Sequence, residues 1–189
     1  MASSHRQGHS VSDAVLAGQF LVATPIISTP PFARSVVLLL EHDESGAIGL
    51  VLNSPTDLVV EEHIPGVQAH LTGPHNVFLG GPVSSETAVS LGRGRGIEFL
   101  RPSALVGIGI VAIDQPLDGL EALRIFAGYA GWDPGQLEAE LAEGAWWILF
   151  PDLNEIFASD VDGMWERCVS RGQGTLPLYA TYPFDPSQN

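Results

Sequence analysis

Two unbroken apolar runs stand near the front of the chain, Ser35 to His42 and Ala47 to Asn53. Neither alternates with polar residues. A strand covered on one face alternates with period two, whereas a strand covered on both faces does not. Between the runs lie Asp43, Glu44, Ser45 and Gly46, which have turn chemistry. The pattern predicts a β-hairpin buried on both faces. Ahead of it, Phe20 to Ala23 predicts a short strand ending at Pro25. Further strands are expected at Val77 to Leu79, Ser84 to Leu91, Ile97 to Leu100, Ile108 to Ile113, Leu123 to Tyr129 and Trp146 to Phe150. Leu58 to Ile64 is open between strand and short helix, and Asp118 to Ala122 between turn and helix.

The densest local signals lie between Phe126 and Trp147, where three of the four tryptophans fall. Asp133 is placed to cap a helix, Pro134 fits its first position, and Gln136 has capping-box spacing. Trp132 and Leu137 occupy the staple positions around that cap. Leu137 and Leu141 share one face, while Glu138, Glu140 and Glu143 favour water. Gly144 ends the helix. A second helix is expected near Asp162 to Arg171, closed by Gly172. Strands outnumber helices and often follow one another directly. The expected fold class is therefore α/β (α+β), a single domain with a mixed, largely antiparallel sheet and a few packed helices. Residues 1–12 and 183–189 are polar and expected to be tails, leaving 13–182 as the domain.

Charge narrows the partners. There is no lysine; eight basic residues face 22 acidic ones, for a formal charge of −14. That field disfavours direct nucleic-acid binding and anionic membranes. The single cysteine, Cys168, allows no internal disulfide and reads as a buried structural thiol in a reducing compartment. No signal peptide or bilayer-spanning run is apparent, so a cytoplasmic location is expected.

Several groups of residues could carry chemistry, and each also has a plain structural reading. His42, flanked by Glu41, Asp43 and Glu44, could act as a general base, with Asn53 orienting a substrate carbonyl. Asp43 and Asn53 equally suit local turn bonds. Gly80, Gly81 and Pro82 could form an anion nest or simply permit a sharp turn. Gly92 to Gly96 alternates glycine with Arg93 and Arg95. That segment is either a flexible connection or a small arginine clamp for an anion, and it lacks the lysine and hydroxyl of a P-loop. His42, His63, His70 and His75 show no ligand spacing, so neither a metal nor a cofactor is expected.

An ordered series of motifs adds a resemblance. Leu16, Gly18, Leu21, Ala23 and Pro25 open it, then Phe32, Arg34, Ser35 and Val36. Glu41, His42, Asp43, Gly46, Gly49, Leu50, Val51, Asn53 and Pro55 follow. Leu79 to Val83 continues it, and Gly128, Tyr129, Gly131, Trp132, Pro134 to Glu138, Glu140, Leu141 and Trp146 complete it. Over roughly residues 14 to 172 the chain resembles the YqgE/AlgH family of bacterial proteins. The resemblance implies a cytoplasmic α/β protein with a strongly bent sheet. Some members carry a transcriptional-regulator label, and no shared biochemical activity is implied. The chain departs from the pattern at Thr29, Pro30 and Pro31, where an acidic residue before proline is common. Ser54 stands where many members have arginine, which weakens an anion grip there.

The leading expectation is a non-enzymatic binding or regulatory protein acting through a protein or small-molecule partner, as a monomer or homodimer. Its turns, His42 to Gly46, Asn53 to Pro55, Gly80 to Pro82 and Tyr129 to Gln136, would line one groove. Candidate ligand-binding residues are His42, Asp43, Asn53, Gly80, Gly81, Tyr129, Trp132 and Gln136; Arg93 and Arg95 are candidate anion ligands. The alternative is a hydrolase or transferase built on His42, Asp43 and Asn53, which requires those three side chains to converge.

Overall fold

The computed structural model describes residues 16–99 and 101–181. The expected tails at 1–12 and 183–189 lie outside them. Ten strands form a bent, mixed sheet: β1 (Phe20–Ala23), β2 (Val36–Asp43), β3 (Gly46–Val51), β4 (Pro55–Val59), β5 (Asn76–Leu79), β6 (Val83–Gly94), β7 (Arg101–Pro102), β8 (Ile108–Ile110), β9 (Leu120–Trp132) and β10 (Trp146–Leu149). The main order is β10-β1-β2-β3-β9-β6-β8-β7, with β5 joining β4 to β9.

The long strand β9 causes the bend. Along one edge it pairs antiparallel with β6. Along the other it changes partner, running parallel to β5 at Phe126 and antiparallel to β3 from Ala130 to Trp132. Register shifts interrupt β6–β9 between Val83 and Ala88 and β2–β3 between Leu39 and Glu41. Such irregularities turn a sheet on itself. All other strand pairs are antiparallel.

The central hairpin is buried on both faces, as its unbroken apolar runs predict. Val36, Leu38, Leu50 and Leu52 enter one core with Phe78, Phe126 and Trp165. Val37, Leu39 and Val51 enter a second core with Trp132, Leu137 and Trp146. Each such aliphatic side chain contributes about 1.5–3 kcal/mol of burial. A third cluster holds Val60, Val67, Leu123 and Ile125. The helices are short: α1 (Val60–His63), α2 (Gln136–Ala142), α3 (Leu153–Ile156), α4 (Met164–Ser170) and α5 (Leu176–Tyr179). Helix α2 packs over the second core and α4 over the first.

Helix α2 differs from its sequence reading at its start. It begins at Gln136, after Gly135 in the left-handed region, and no side chain caps it. Half of the expected capping box remains: Gln136 Oε1 accepts the Asp133 N–H at 3.0 Å. Gly135 fits because it can take a positive φ that a residue with a Cβ resists. At the other end Gly144 N–H donates to Leu141 O and Ala145 N–H to Glu140 O, the paired bonds of a Schellman ending.

Two segments depart from their sequence patterns. Of the strand expected at Ile97 to Leu100, residues 97–99 form none and Leu100 lies outside the described residues. Gly92 to Gly94 belongs to β6, and only Arg95 and Gly96 lie in the connection to β7. Bare backbone is needed there, since a Cβ on Gly94 would lie 2.4 Å from Gly119 O. The strand expected at Ile108 to Ile113 stops at Ile110.

Candidate functional site

Strand β10 ends the sheet, and β1 is its only strand neighbour among the described residues. The pairing sets which backbone groups face outward. Thr24 N–H donates to Ala145 O at 3.0 Å, and Ala23 aligns with Trp146. Antiparallel hydrogen bonding alternates residue by residue. Trp147 and Leu149 therefore direct their backbone groups toward β1, while Trp146 and Ile148 direct theirs away from the sheet.

That open edge lies at the bottom of a groove of about 640 Å³. One wall is α2, through Glu138, Leu141 and Ala142. The other is the end of α4 and the start of α5, through Arg171, Gly172 and Leu176. Apolar side chains stay in water around the edge: Phe150 is 88% exposed and Ile148 38%. Such size and lining suit an apolar ligand segment.

Ion pairs brace one wall, tying α4 to α3. Glu155, nearly buried, accepts from Arg167 Nη2 and Arg171 Nη1, both at 2.9 Å. Burial alone would raise its carboxyl, but the hydrogen bonds from Arg167 and Arg171 outweigh this and hold it below the usual range. Arg167 also meets Asp160, and Arg171 meets Asp152. Cys168 sits beneath the groove, where burial pushes its thiol up to about 11. It is a packed side chain, not a nucleophile at neutral pH.

The residues singled out from sequence are dispersed. His42 Nδ1 accepts the Leu16 N–H at 3.2 Å, so Nε2 carries the proton and donates to Glu138 Oε1 at 2.8 Å. Both ring nitrogens are engaged. The bond from His42 holds the Glu138 carboxyl below its usual range. Asp43 accepts the Ser45 N–H in the hairpin turn. Asn53 lies at the opposite end of the hairpin, where Oδ1 accepts from Val36 N–H and Nδ2 donates to Arg34 O, both at 2.9 Å. Six residues of strand, about 20 Å, separate the two ends. His42, Asp43 and Asn53 thus do not converge.

Gly80 uses both backbone groups in the sheet, donating to Ala127 O and accepting from Val51 N–H. Gly81 passes so close to β9 that a Cβ would fall 2.2 Å from Tyr129 C. Tyr129 lines a separate cleft of about 380 Å³ with Leu40, Glu41 and Ile110. Trp132 is buried; its indole N–H and that of Trp146 both donate to Glu140, whose other oxygen accepts from Gln136. Arg93 and Arg95 both face Glu121, at 3.8 and 4.0 Å, and Arg93 lies over the Phe157 ring. The motif turns meet only in pairs: Gly46 lies against the backbone of Trp132, Gly81 against Tyr129, and Leu79 N–H donates to Ser54 O. Among the described residues no three His, Cys, Asp or Glu side chains gather as metal ligands. No helix there is long and apolar enough to cross a membrane.

The strand expected at Trp146 to Phe150 is β10, and its apolar run alone gives no sign that it lies at the sheet edge. The available signal was Phe150, a large apolar residue directly before Pro151 and beyond the strand's last buried position.

These features define a single α/β domain whose bent mixed sheet ends in an open strand edge between helices. The chain belongs to the AlgH-like family, whose model matches residues 20–177. A UPF0301 protein of Streptomyces avermitilis is 42% identical over 191 residues, covering 92% of this chain and 95% of the relative. A UPF0301 protein of Thermobifida fusca is 37% identical, covering 92% and 96%. A crystal structure of a Corynebacterium diphtheriae protein matches with TM-score 0.79 and 28% identity over 95% of each chain. The solution structure of the AlgH protein of Pseudomonas aeruginosa matches with TM-score 0.68 and 29% identity, covering 95% of this chain and 98% of that one. None of these names states an activity.

Proposed function

We propose that this protein is a non-enzymatic, regulatory binding module that captures an extended apolar segment of a partner polypeptide along β10. The observation that carries this reading is the outward backbone of Trp146 and Ile148 at the bottom of a groove with two helical walls. Strand addition to an open edge supplies main-chain hydrogen bonds, and pockets beside the edge select alternate side chains. The dispersal of His42, Asp43 and Asn53 favours binding over catalysis. The acidic field favours a polypeptide over nucleic acid. The same reading sets the module in the cytoplasm, where Cys168 stays reduced.

Proline at an edge position whose N–H faces outward keeps the strand and deletes only the outward donor. The test is a fluorescein-labelled eight-residue peptide of alternating valine and threonine, titrated against the full chain. Saturable binding is expected, weakened a few-fold by Ile148→Ala and lost in Ile148→Pro at unchanged far-UV circular dichroism. Equal binding by parent and Ile148→Pro would overturn the reading.

A further inference from the structure

We propose that the cleft beside Tyr129 is a second binding site, which holds a small primary amine with an apolar body and sets its ammonium group against Glu41 and the Tyr129 ring. The site is independent of partner capture at β10, since the two cavities share no lining residue.

Two breaks in strand regularity build it. On β2, Leu38 faces the first core. Regular alternation would put Leu40 on that face and Glu41 on the opposite one. The register shift between Leu39 and Glu41 inserts one residue, and Glu41 aligns with Ile48 instead. Ile48 stands two residues before Leu50, whose side chain enters the first core, so Glu41 joins that face. His42, opposite Ala47 of the second core, is sent the other way, toward Glu138. On β9, Ala122 and Phe126 face the first core, while Leu123 and Ile125 face the third. The same alternation would set Tyr129 with Leu123 and Ile125. Gly128 interrupts it: its φ is +66°, and the β6–β9 register shifts beside it, between Val83 and Ala88. Beyond Gly128, Tyr129 packs against the first core and Ala130 and Trp132 enter the second. Bare backbone permits this, since a Cβ on Gly128 would lie 2.5 Å from Val83 O. Each irregularity turns one polar side chain onto an apolar face, and both arrive at the same cleft.

The lining selects the ligand. At about 380 Å³ the cleft has the size of a small-molecule pocket. Leu50 is fully buried at its base, and Leu40, Ile48, Val89 and Ile110 stay half-buried around it. Ser103 also lines it, but its hydroxyl is committed to backbone, donating to Ile108 O and accepting from Leu105 N–H. Among the described residues lining the cleft, Glu41 carries the only charge. An anion would meet that carboxylate with no cation to offset it. A carboxylate accepts several hydrogen bonds, so Glu41 can take an ammonium group beside the contact it already makes. The Tyr129 ring attracts a cation as well. The chain's formal charge of −14 raises the concentration of cations near its surface.

The test is a titration of the 15N-labelled full chain at pH 7 and constant ionic strength, followed by backbone amide shifts. The probe is 2-phenylethylamine, with neutral 2-phenylethanol and anionic phenylacetate as controls. The amine should give saturable shifts at Ile48, Val89, Ile110 and Tyr129. Glu41→Gln should weaken it about fivefold, the upper range for a charge pair partly open to water. The alcohol should bind parent and Glu41→Gln equally, about fivefold more weakly than the amine binds the parent. Ile48→Trp, which fills the cleft, should abolish the shifts while the rest of the spectrum stays parental.

Absence of saturable shifts at those four amides overturns the proposal. So does Glu41→Gln binding the amine as tightly as the parent, or phenylacetate binding as tightly as the amine. Shifts confined to Trp147 and its neighbours would place the amine in the β10 groove and overturn it as well.

Discussion

Trp132 and Trp146, from the end of β9 and the start of β10, donate their indole N–H groups to the same oxygen of Glu140, at 2.9 and 2.7 Å. Their rings meet edge to face, with centroids 6.0 Å apart. One carboxylate thus ties α2 to two strands distant in sequence. Glu140→Ala leaves two indole donors without an acceptor, and each such loss costs about 1–3 kcal/mol. Glu140→Ala should therefore lower unfolding free energy by about 2–4 kcal/mol in urea titration followed by tryptophan fluorescence. Glu140→Gln should cost less, about 1 kcal/mol, since its amide oxygen can still take both indoles. Its NH2 would then oppose that of Gln136, whose oxygen is committed to Asp133 N–H.

The brace beneath the groove should make stability depend on pH. Glu155 titrates below its ordinary value of 4.5 in the folded chain. A carboxyl depressed by folding stabilises fully above its unfolded value, and that stabilisation is lost as pH falls through the folded value. Glu155→Gln should therefore cost about 1–2 kcal/mol at pH 7, kept modest because the arginines are partly solvated. The gap to the parent should begin to close below about pH 4.5. Thermal melts at pH 7 and pH 3.5 measure it; a gap unchanged at pH 3.5 would contradict the assignment.

Arg124 is almost fully buried on β9, and burial pushes its guanidinium down to about 10. It donates to the carbonyls of Ile156 at 3.0 Å and Ala158 at 2.6 Å and lies over the Phe78 ring. Arg124→Met removes a costly buried charge but strands those carbonyls. The second effect should win, with a loss of about 2–4 kcal/mol by chemical denaturation. Arg124→Ala should lose more, because it adds a cavity. A Met variant as stable as the parent would show that the carbonyls find other donors.

What the sequence made legible follows the range of the forces involved. The hairpin of β2 and β3 could be read because both-face burial leaves an unbroken apolar run. The end of α2 could be read because Gly144 acts within one turn. The bend was not visible in periodicity: it depends on β9 exchanging β5 for β3 along one edge, a choice made by residues distant in sequence. The edge at β10 was hidden for the same reason. Trp146, Trp147 and Leu149 look like any buried strand; Phe150 before Pro151 hints at exposure beyond it, but the sheet order is what shows that nothing pairs beyond them among the described residues. His42 drew notice as a lone imidazole among carboxylates. Its actual partner, Glu138, lies 96 positions away on a helix.

His42 joins three pieces of chain: the entry at Leu16, the outer end of β2, and α2 at Glu138. A catalytic base and a structural strut predict different responses to replacement. Phenylalanine keeps the ring's shape but removes both bonds, leaving the Leu16 N–H without its acceptor. His42→Phe should lose about 1–3 kcal/mol of stability by urea denaturation. Glutamine can satisfy one of the two partners, so His42→Gln should lie between parent and Phe. Because α2 forms one wall of the groove, His42→Phe should also weaken the valine–threonine reporter, whereas loss of a proton acceptor alone would leave binding intact. A His42→Phe chain with parental stability and parental reporter affinity would show that the bonds to Leu16 and Glu138 do not hold α2 in place.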